Sequence, residues 1–353
     1  MILPPTYLSV RNGLITPLTR LSDQRRAELN LQPNAEWEGG VYDDTGRFVG
    51  LSSLMRGVTF PITFGADYEG AAEKVPGTVF YAGFLYHDHF GHFLTESLSR
   101  FWYLFYSGEK IRPVFNTIPG IRELSDMNKF FLNKLGVNSE DVLLIDRPLR
   151  FENVIVPRAG FELGNPNYVL EQLNVFKHIS SAQLNAFDGL DKSAPVYVSR
   201  TKFNNRKIHG EQYLEGVLKY NGWNIVHPEM HSLSDQISIF NSSNIYCGVL
   251  GSAMHNLLFS NEGKRPIYIE RTRGTPHTLM AFKCADEMLG HNSLYIDASN
   301  NLLPTYGQRG PFLIDPEKVL RELRNIGLIN SSYPPFNYNE VERQYREDWE
   351  TYT

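Results

Sequence analysis

Between residues 195 and 270 the chain alternates short apolar runs with amphipathic stretches. This alternation, more than any other feature, limits what the chain can fold into. "PVYVSR", "WNIVHP", "NIYCGVL" and "RPIYIE" are continuous apolar runs of strand length. Between them lie "GEQYLEGVLKYNG", "SLSDQISIFNSS" and "SAMHNLLFS", whose apolar residues recur at helical spacing. Strands that are apolar on both faces and separated by helices predict a parallel sheet covered on both sides. In such sheets ligands bind at the carboxyl ends of the strands. The loops after "PVYVSR", "NIYCGVL" and "RPIYIE" are therefore where function is to be sought in this half.

The first half alternates less regularly. "EWEGGVYDDTGRFVG" reads as a hairpin, with turn chemistry between short aromatic and apolar runs. "GTVFYAGFLYH" predicts a strand, and a helix is expected over about residues 89 to 107. "RPVFNTI", "DVLLID" and "ENVIVP" read as strands, and "SDMNKFFLNKLGV" as a helix ended by Gly136. "LGNPNY" looks like a linker, followed by a helix from about Val169 to Phe187. The expected architecture is α/β, two Rossmann-like domains facing each other across a cleft. The boundaries read as 1–165 for the first domain and 166–328 for the second. The tail at 329–353 reads as an outer helix or a disordered segment, and a return onto the first domain is one option for it.

A formal charge of −5 over 353 residues argues against a general polyanion binder, so no nucleic-acid partner is expected and any basic site must be local. Two cysteines, Cys247 and Cys284, do not make a disulfide framework. No basic-then-apolar leader opens the chain, and no run approaches the ~20 apolar residues of a membrane span. The expectation is a cytoplasmic protein.

The chemistry concentrates in "YHDHFGHFLTESLSRFW", residues 86 to 102, which holds three of the ten histidines. On a helical wheel Phe90, Leu94, Leu98, Phe101 and Phe105 fall on one side. His89, His92, Glu96, Ser99, Arg100 and Tyr103 fall on the other. Three readings stand. The polar stripe is a solvated face with His92 and Glu96 as an ordinary i,i+4 pair. Or His89, His92 and Glu96 bind zinc, although a fourth ligand is not evident. Or the stripe is catalytic, with Glu96 as general base and a histidine polarising it or binding substrate. The third suits the residue choice best, because exposed helix faces favour lysine and this one has none.

"SRTKFNNRKIHGE" carries Arg200, Lys202, Arg206 and Lys207 at the carboxyl end of an expected strand. Charged hydrogen bonds to phosphate oxygens are the natural use of such a loop, and a solvated basic loop is the plain alternative. "CGVLGSAMHNLLF" reads as strand, tight turn, helix. Gly251 permits close approach of the backbone, Ser252 is placed to cap the helix, and the helix start favours an anion. Glu270, ending a strand, is placed to accept from ribose hydroxyls or to pair with Arg271 or Arg273. Ser232 with Asp235 reads as a capping box.

Taken in order and spacing, "FGHFLTESLSRFW", "YVSRTKFNNRKIHGE", "HSLSDQISIFNSSNIYCGVLGSAMHNLLFSNEG" and "YIE" resemble glycosyltransferase family 61. The resemblance covers roughly residues 80 to 275. It implies a GT-B fold, with the acceptor largely on the first domain and the nucleotide sugar on the second. It implies inversion at the anomeric carbon, with no obligatory metal and no cofactor. By position, His92 and Glu96 match the family's N-terminal motif, and Arg200, Arg206 and Glu211 its basic loop. Gly251, Asn256 and Glu270 match the glycine turn, the asparagine after it and the strand-end acid. Together with the residue reading, which adds His89, Lys207 and Ser252, this gives a catalytic set of Glu96, His92 and His89. The donor set is Arg200, Arg206, Lys207, Glu211, Gly251, Ser252, Asn256 and Glu270. The expected donor is a nucleotide-diphosphate sugar, a UDP-sugar in the first instance, and the expected acceptor a glycan or glycolipid hydroxyl. Without an anchor the chain looks like a bacterial-type cytosolic enzyme of capsule, lipopolysaccharide or related glycan synthesis. Peripheral contact with the inner face of the membrane is left open. The alternative in another class is a non-catalytic nucleotide- or glycan-binding module of the same fold.

Overall fold

The structure is a computed structural model that describes residues 1–32, 35–57, 60–182, 187–203, 207–272, 276–303, 310–330 and 332–351. The chain divides into two compact units. The first is Met1–Ala182 with Pro276–Met288, and the second Gln183–Thr275 with Leu289–Thr353.

The first unit is built on a seven-stranded sheet. Its strands are β1 (Tyr7–Arg11), β2 (Leu14–Ile15), β3 (Val41–Tyr42), β5 (Glu73–Phe84), β6 (Arg112–Asn116), β7 (Leu143–Ile145) and β8 (Leu149–Pro157), while β4 (Met55–Arg56) lies outside it. The path runs β7-β6-β5-β8-β2-β3, and β1 also pairs with β8. The four strands β7, β6, β5 and β8 are parallel, in the 3-2-1-4 order of half a Rossmann sheet. The flanking strands β1, β2 and β3 add on antiparallel. Val79, Tyr81, Val114, Val154 and Val156 bury one sheet face in a common core. The expected hairpin closes at Val41–Val49, where the Asp43 carboxylate accepts from Thr45 and Arg47 N–H.

The helix expected over 89–107 is not continuous. It breaks into α1 (Phe90–His92), a π-helical turn Phe93–Ser97, and α2 (Trp102–Ser107). Nor is most of its polar stripe a surface: residues 93–103 are all buried, while His89 is exposed and His92 half-buried. Two side-chain ties account for the distortion. The Ser97 hydroxyl donates to the Phe84 carbonyl and accepts from Tyr86 N–H, which ties the turn to the end of β5. The Thr95 hydroxyl donates back to the Gly91 carbonyl. Helix α3 (Asp126–Lys134) starts at a Ser125–Asn128 capping box. The same two side chains grip the carbonyls of His87 and Tyr86, which anchors the histidine turn.

The boundary expected at 165 lies later. Helix α4 (Gln172–Ser181) belongs to the first unit, where Val175, Phe176 and Ile179 are fully buried and the tilted rings of Phe105 and His178 meet at 5.0 Å. The "LGNPNY" stretch is not a free linker either: Tyr168–Val169 pairs with Ile2–Leu3.

The second unit holds a five-stranded, fully parallel sheet of β9 (Val196–Val198), β11 (Asn224–Val226), β12 (Ile245–Val249), β13 (Arg265–Glu270) and β14 (Leu294–Asp297). A separate parallel pair joins β10 (Ile208–His209) to β15 (Phe312–Leu313). The five-strand order is β11-β9-β12-β13-β14, a 2-1-3-4-5 doubly wound sheet. Its strands are buried on both faces, as the continuous apolar runs required. Helix α5 (Glu211–Tyr220) and a later helix, Pro316–Asn325, bury Leu214, Leu218, Leu320 and Leu323 against Tyr197, Cys247, Ile267 and Ile269. A fully buried aliphatic side chain contributes roughly 1.5–3 kcal/mol, whereas an exposed ion pair adds about 0–1 kcal/mol. Burial, then, holds this sheet together.

The C-terminal segment forms a helix, Tyr338–Glu350, that lies on β10 and β15 of the second unit. Tyr345 is completely buried there, and the Tyr338 hydroxyl accepts from Asn300. Among the described residues no helix is long and apolar enough to cross a membrane.

Candidate active site

In the first unit the polar groups gather where β5 ends. Glu96, on the π-helical turn, has a side chain with no solvent exposure. Arg56, at the end of β4, donates from Nε to Glu96 Oε1 at 2.9 Å and from Nη2 to Oε2 at 3.2 Å. The same Nη2 donates to the Tyr86 hydroxyl at 2.7 Å. His92 Nδ1 stands 2.7 Å from Glu96 Oε2. Burial alone would push the Glu96 carboxyl up, but hydrogen bonds from His92 and Arg56 outweigh it and hold the group below its ordinary range. An ionised carboxylate only accepts, so His92 must carry its proton on Nδ1. The 3.5 Å approach of Arg56 Nη2 to that nitrogen is then a contact of two donors, not a hydrogen bond. In the neutral ring the lone pair then sits on Nε2, on a side chain 26% exposed.

The ring of His92 is fixed from both sides. Tyr86 stacks on it at 4.7 Å, and the His89 ring stands 4.1 Å away. His89 itself is the N-cap of α1, its Nδ1 accepting from His92 N–H. Arg100 does not join this group. Completely desolvated, it donates to the carbonyls of Pro157 and Ser53, and so fastens the helix to the end of β8. Arg56 was not anticipated, since it stands 40 residues upstream of Glu96. Its one sequence signal is a lone arginine in the otherwise uncharged run "LSSLMRGVTF".

In the second unit the site residues cluster at the carboxyl ends of β9, β12 and β13. These are adjacent strands, and the β9–β12 step is where the strand order reverses. The loop after β9 is held from below by two carboxylates four residues apart on α5. Glu211 Oε1 accepts from Arg200 N–H at 2.9 Å and from the Tyr197 hydroxyl at 3.1 Å. Glu215 Oε2 accepts from the Ser199 and Thr201 hydroxyls, both at 2.6 Å. The Arg200 guanidinium carbon lies over the Phe203 ring at 4.8 Å. Glu211 is therefore beneath the loop, positioning it. Its burial pushes the carboxyl up to about 7.

Gly251 is in an extended conformation that any residue adopts, so the turn does not need glycine's flexibility. A Cβ placed there would lie 3.5 Å from Nη1 of Arg200 and 3.5 Å from Nη1 of Arg271. Arg271 was not anticipated as part of this group. Gly251 itself, not Ser252, is the N-cap of the following helix, and no side chain caps it. That helix, Ser252–Phe259, is 3₁₀. Asn256 is buried within it, its amide donating to Gln236 Oε1 and the Ala253 carbonyl, so it braces the helix. Glu270 closes β13 in register with Asp297 of β14. Lys207 is not brought to Gly251. It pairs at 3.0 Å with Asp348 of the C-terminal helix, which also meets His209. Arg206 lies outside the described residues. Ser232 caps the helix Leu233–Ile239 as expected, its hydroxyl accepting from Asp235 N–H. Among the described residues no three His, Cys, Asp or Glu side chains are grouped so as to hold a metal ion.

The sequence model of the family Glycosyltransferase 61 matches residues 90–267, half of the chain, with His92, Glu96, Arg200 and Gly251 inside the match. The chain belongs to glycosyltransferase family 61. No curated protein matches it. Membership makes the chain a transferase whose ligands are a sugar donor and an acceptor. Of the site residues described above, Arg56, His89, Glu270 and Arg271 fall outside the stretch matched by the family 61 model.

Proposed function

We propose that the chain is an inverting, metal-independent glycosyltransferase of GT-B type, cytoplasmic, that moves a sugar from a nucleoside-diphosphate sugar to a glycan or glycolipid hydroxyl. A UDP-sugar is the first candidate donor. The second unit binds the donor through Arg200 and the turn at Gly251, and the first binds the acceptor. The observation that carries the reading is the pairing of His92 Nδ1 with a buried, ionised Glu96. It moves the general base from Glu96, where the sequence placed it, to His92. Both Glu96 oxygens are engaged and its carboxyl is held low, which makes it a poor proton acceptor. His92 Nε2 takes the acceptor's hydroxyl proton. That oxygen bonds to C1 from the face opposite the diphosphate as the C1–O bond to phosphate breaks, and the nucleoside diphosphate leaves with the electron pair. Glu96 positions the ring and stabilises the imidazolium that forms. Fixed positive charge near Gly251 takes up the charge growing on the leaving group.

The test is transfer from a panel of nucleotide sugars, followed by release of nucleoside diphosphate. Loss of a general base costs ~10²–10⁴-fold in rate, and His92→Ala is expected to lose that much while keeping nucleotide affinity. Product NMR should show inversion, and excess EDTA should leave the rate within a few-fold. Near-normal turnover of His92→Ala, or a retained anomer, would sink the reading.

A further inference from the structure

We propose that Arg271 and Arg200 form a two-armed cradle for the donor's diphosphate, and that Gly251 is glycine because the cradle needs the space a side chain would fill. The inference rests on the reading of the chain as a nucleotide-sugar transferase and names a residue that reading did not include.

Both guanidiniums reach one point. The spot where a Cβ would sit on Gly251 is 3.5 Å from Nη1 of each, close to hydrogen-bond distance for an oxygen placed slightly nearer. The arms come from different strands, Arg200 from the end of β9 and Arg271 from the end of β13, and they close over the turn that ends β12. Each is held in the same way. The Arg200 guanidinium carbon lies over the Phe203 ring at 4.8 Å, and that of Arg271 over the Phe312 ring at 4.5 Å. A cation over an aromatic face is attracted by the ring's quadrupole, which restrains each arm. The backbones behind the arms are pinned as well. Arg200 N–H is held by Glu211, and the Arg271 carbonyl accepts from Asn301 at 2.6 Å. Two like charges fixed toward one spot, at the carboxyl edge of a doubly wound sheet, suit an anion that accepts from both. A phosphate oxygen has the charge and the lone pairs for this, and paired phosphates use both arms.

The glycine strengthens the argument. Its φ of 172° is open to every residue, so the backbone does not require glycine. An added methyl group meets its neighbours at ordinary van der Waals distance, so the empty protein tolerates it. What the methyl group takes away is the place between the two Nη1 atoms.

Arg271→Ala, Arg271→Lys and Gly251→Ala are to be compared with wild type in calorimetry, with UDP, GDP, CDP, ADP and inorganic pyrophosphate as probes. Circular dichroism and thermal melts report the fold. A charged hydrogen bond of the usual strength corresponds to roughly a 10- to 150-fold loss of affinity, expected for Arg271→Ala against whichever diphosphate wild type binds and against pyrophosphate. Arg271→Lys should recover only part, because a point charge cannot replace the fork. Gly251→Ala should melt like wild type and bind at least 10-fold more weakly, on the order of one lost charged hydrogen bond. Should Arg271→Ala fail to fold, the other two variants decide. Diphosphate and pyrophosphate affinities within two-fold of wild type in the folded variants would overturn the cradle and leave the transferase reading standing. A wild type that binds neither any diphosphate nor pyrophosphate would overturn both.

Discussion

Each unit buries one glutamate next to its candidate site, and the two behave in opposite ways. Glu96 meets a guanidinium on both oxygens and an imidazole on one, and its carboxyl is held low. Glu211 is as deeply buried but is held by a backbone N–H and a phenol, both neutral, and its carboxyl rises to about 7. Burial is therefore not what decides the charge; the donors are. The difference assigns the two residues different work. An ionised Glu96 fixes the tautomer of His92 and is ready for an imidazolium. A Glu211 that titrates near neutrality holds the loop after β9 in place.

Of the two glutamates, Glu96 should show the larger effect, in Glu96→Gln. The amide offers one acceptor oxygen and sets an NH₂ against donors. His92 then loses its fixed tautomer, and Arg56 is left as a partly buried, unpaired cation. Transfer should fall by ~10²–10³-fold, within the range of general-base loss. Breaking a buried pair costs about 3–5 kcal/mol, and the 30% exposure of Arg56 puts this one near or below the lower end. Because Glu96 acts through His92, the double variant with His92→Ala should be no slower than His92→Ala alone. An additive loss would make Glu96 an independent participant.

Next comes Arg56→Met, which removes the guanidinium and leaves Glu96 with His92 alone. The carboxyl should rise, and the acid limb of the pH–rate profile should move to higher pH. The sign of the wild-type behaviour follows from the lowered carboxyl. Its contribution to stability is present above about 4.5, the ordinary glutamate value, and is lost as pH falls through the depressed folded value. An acid limb that stays in place would show that Arg56 does not set the charge of Glu96.

Glu211 should run the other way. Its folded carboxyl holds the proton to about pH 7, while the unfolded chain releases it near 4.5. Stability linked to this group is full below 4.5 and is lost as pH rises toward 7, by on the order of 1–3 kcal/mol. Glu211→Gln should match wild type near pH 4.5, exceed it at pH 8, and flatten the slope between. Denaturant melts across that range decide it. A slope that survives the substitution would assign the titration to another group.

How much of this was legible in the sequence depends on the range of the interaction. The apolar runs around Tyr197, Cys247 and Ile269 announce buried parallel strands, because both faces must be apolar whatever their order. The order itself, 2-1-3-4-5 beside 3-2-1-4, leaves no trace in any period. His92 and Glu96 stand four apart on one stripe, so their meeting was readable. That the stripe is buried from residue 93 onward is invisible in its spacing, and that its carboxylate is engaged on both oxygens depends on Arg56, set there by a strand 40 residues upstream. The break after His92 depends on Ser97 reaching back to the end of β5. Arg271 was visible as a charge next to Glu270, but its convergence with Arg200 requires three strand ends to lie side by side.

The smallest effect isolates what burial adds to an ion pair. Lys207 and Asp348 meet at 3.0 Å, nearly the 2.9 Å of Arg56 and Glu96, but the lysine side chain is 67% exposed. Water screens such a pair, and ordering two flexible side chains offsets much of the attraction, so exposed pairs are worth about 0–1 kcal/mol. Asp348 also keeps a second partner, His209, at 2.8 Å. Lys207→Ala should therefore shift the unfolding midpoint by little, and 0.5 M salt should shift it no further, because the Debye length is then only ~4 Å. Its cost to nucleoside-diphosphate affinity should be far below that of Arg200→Ala, since the lysine is drawn to the C-terminal helix and away from Gly251. A loss of diphosphate affinity equal to that of Arg200→Ala would place Lys207 in the donor site, as the sequence alone had it. It would also mean that the pair with Asp348 opens when the donor binds.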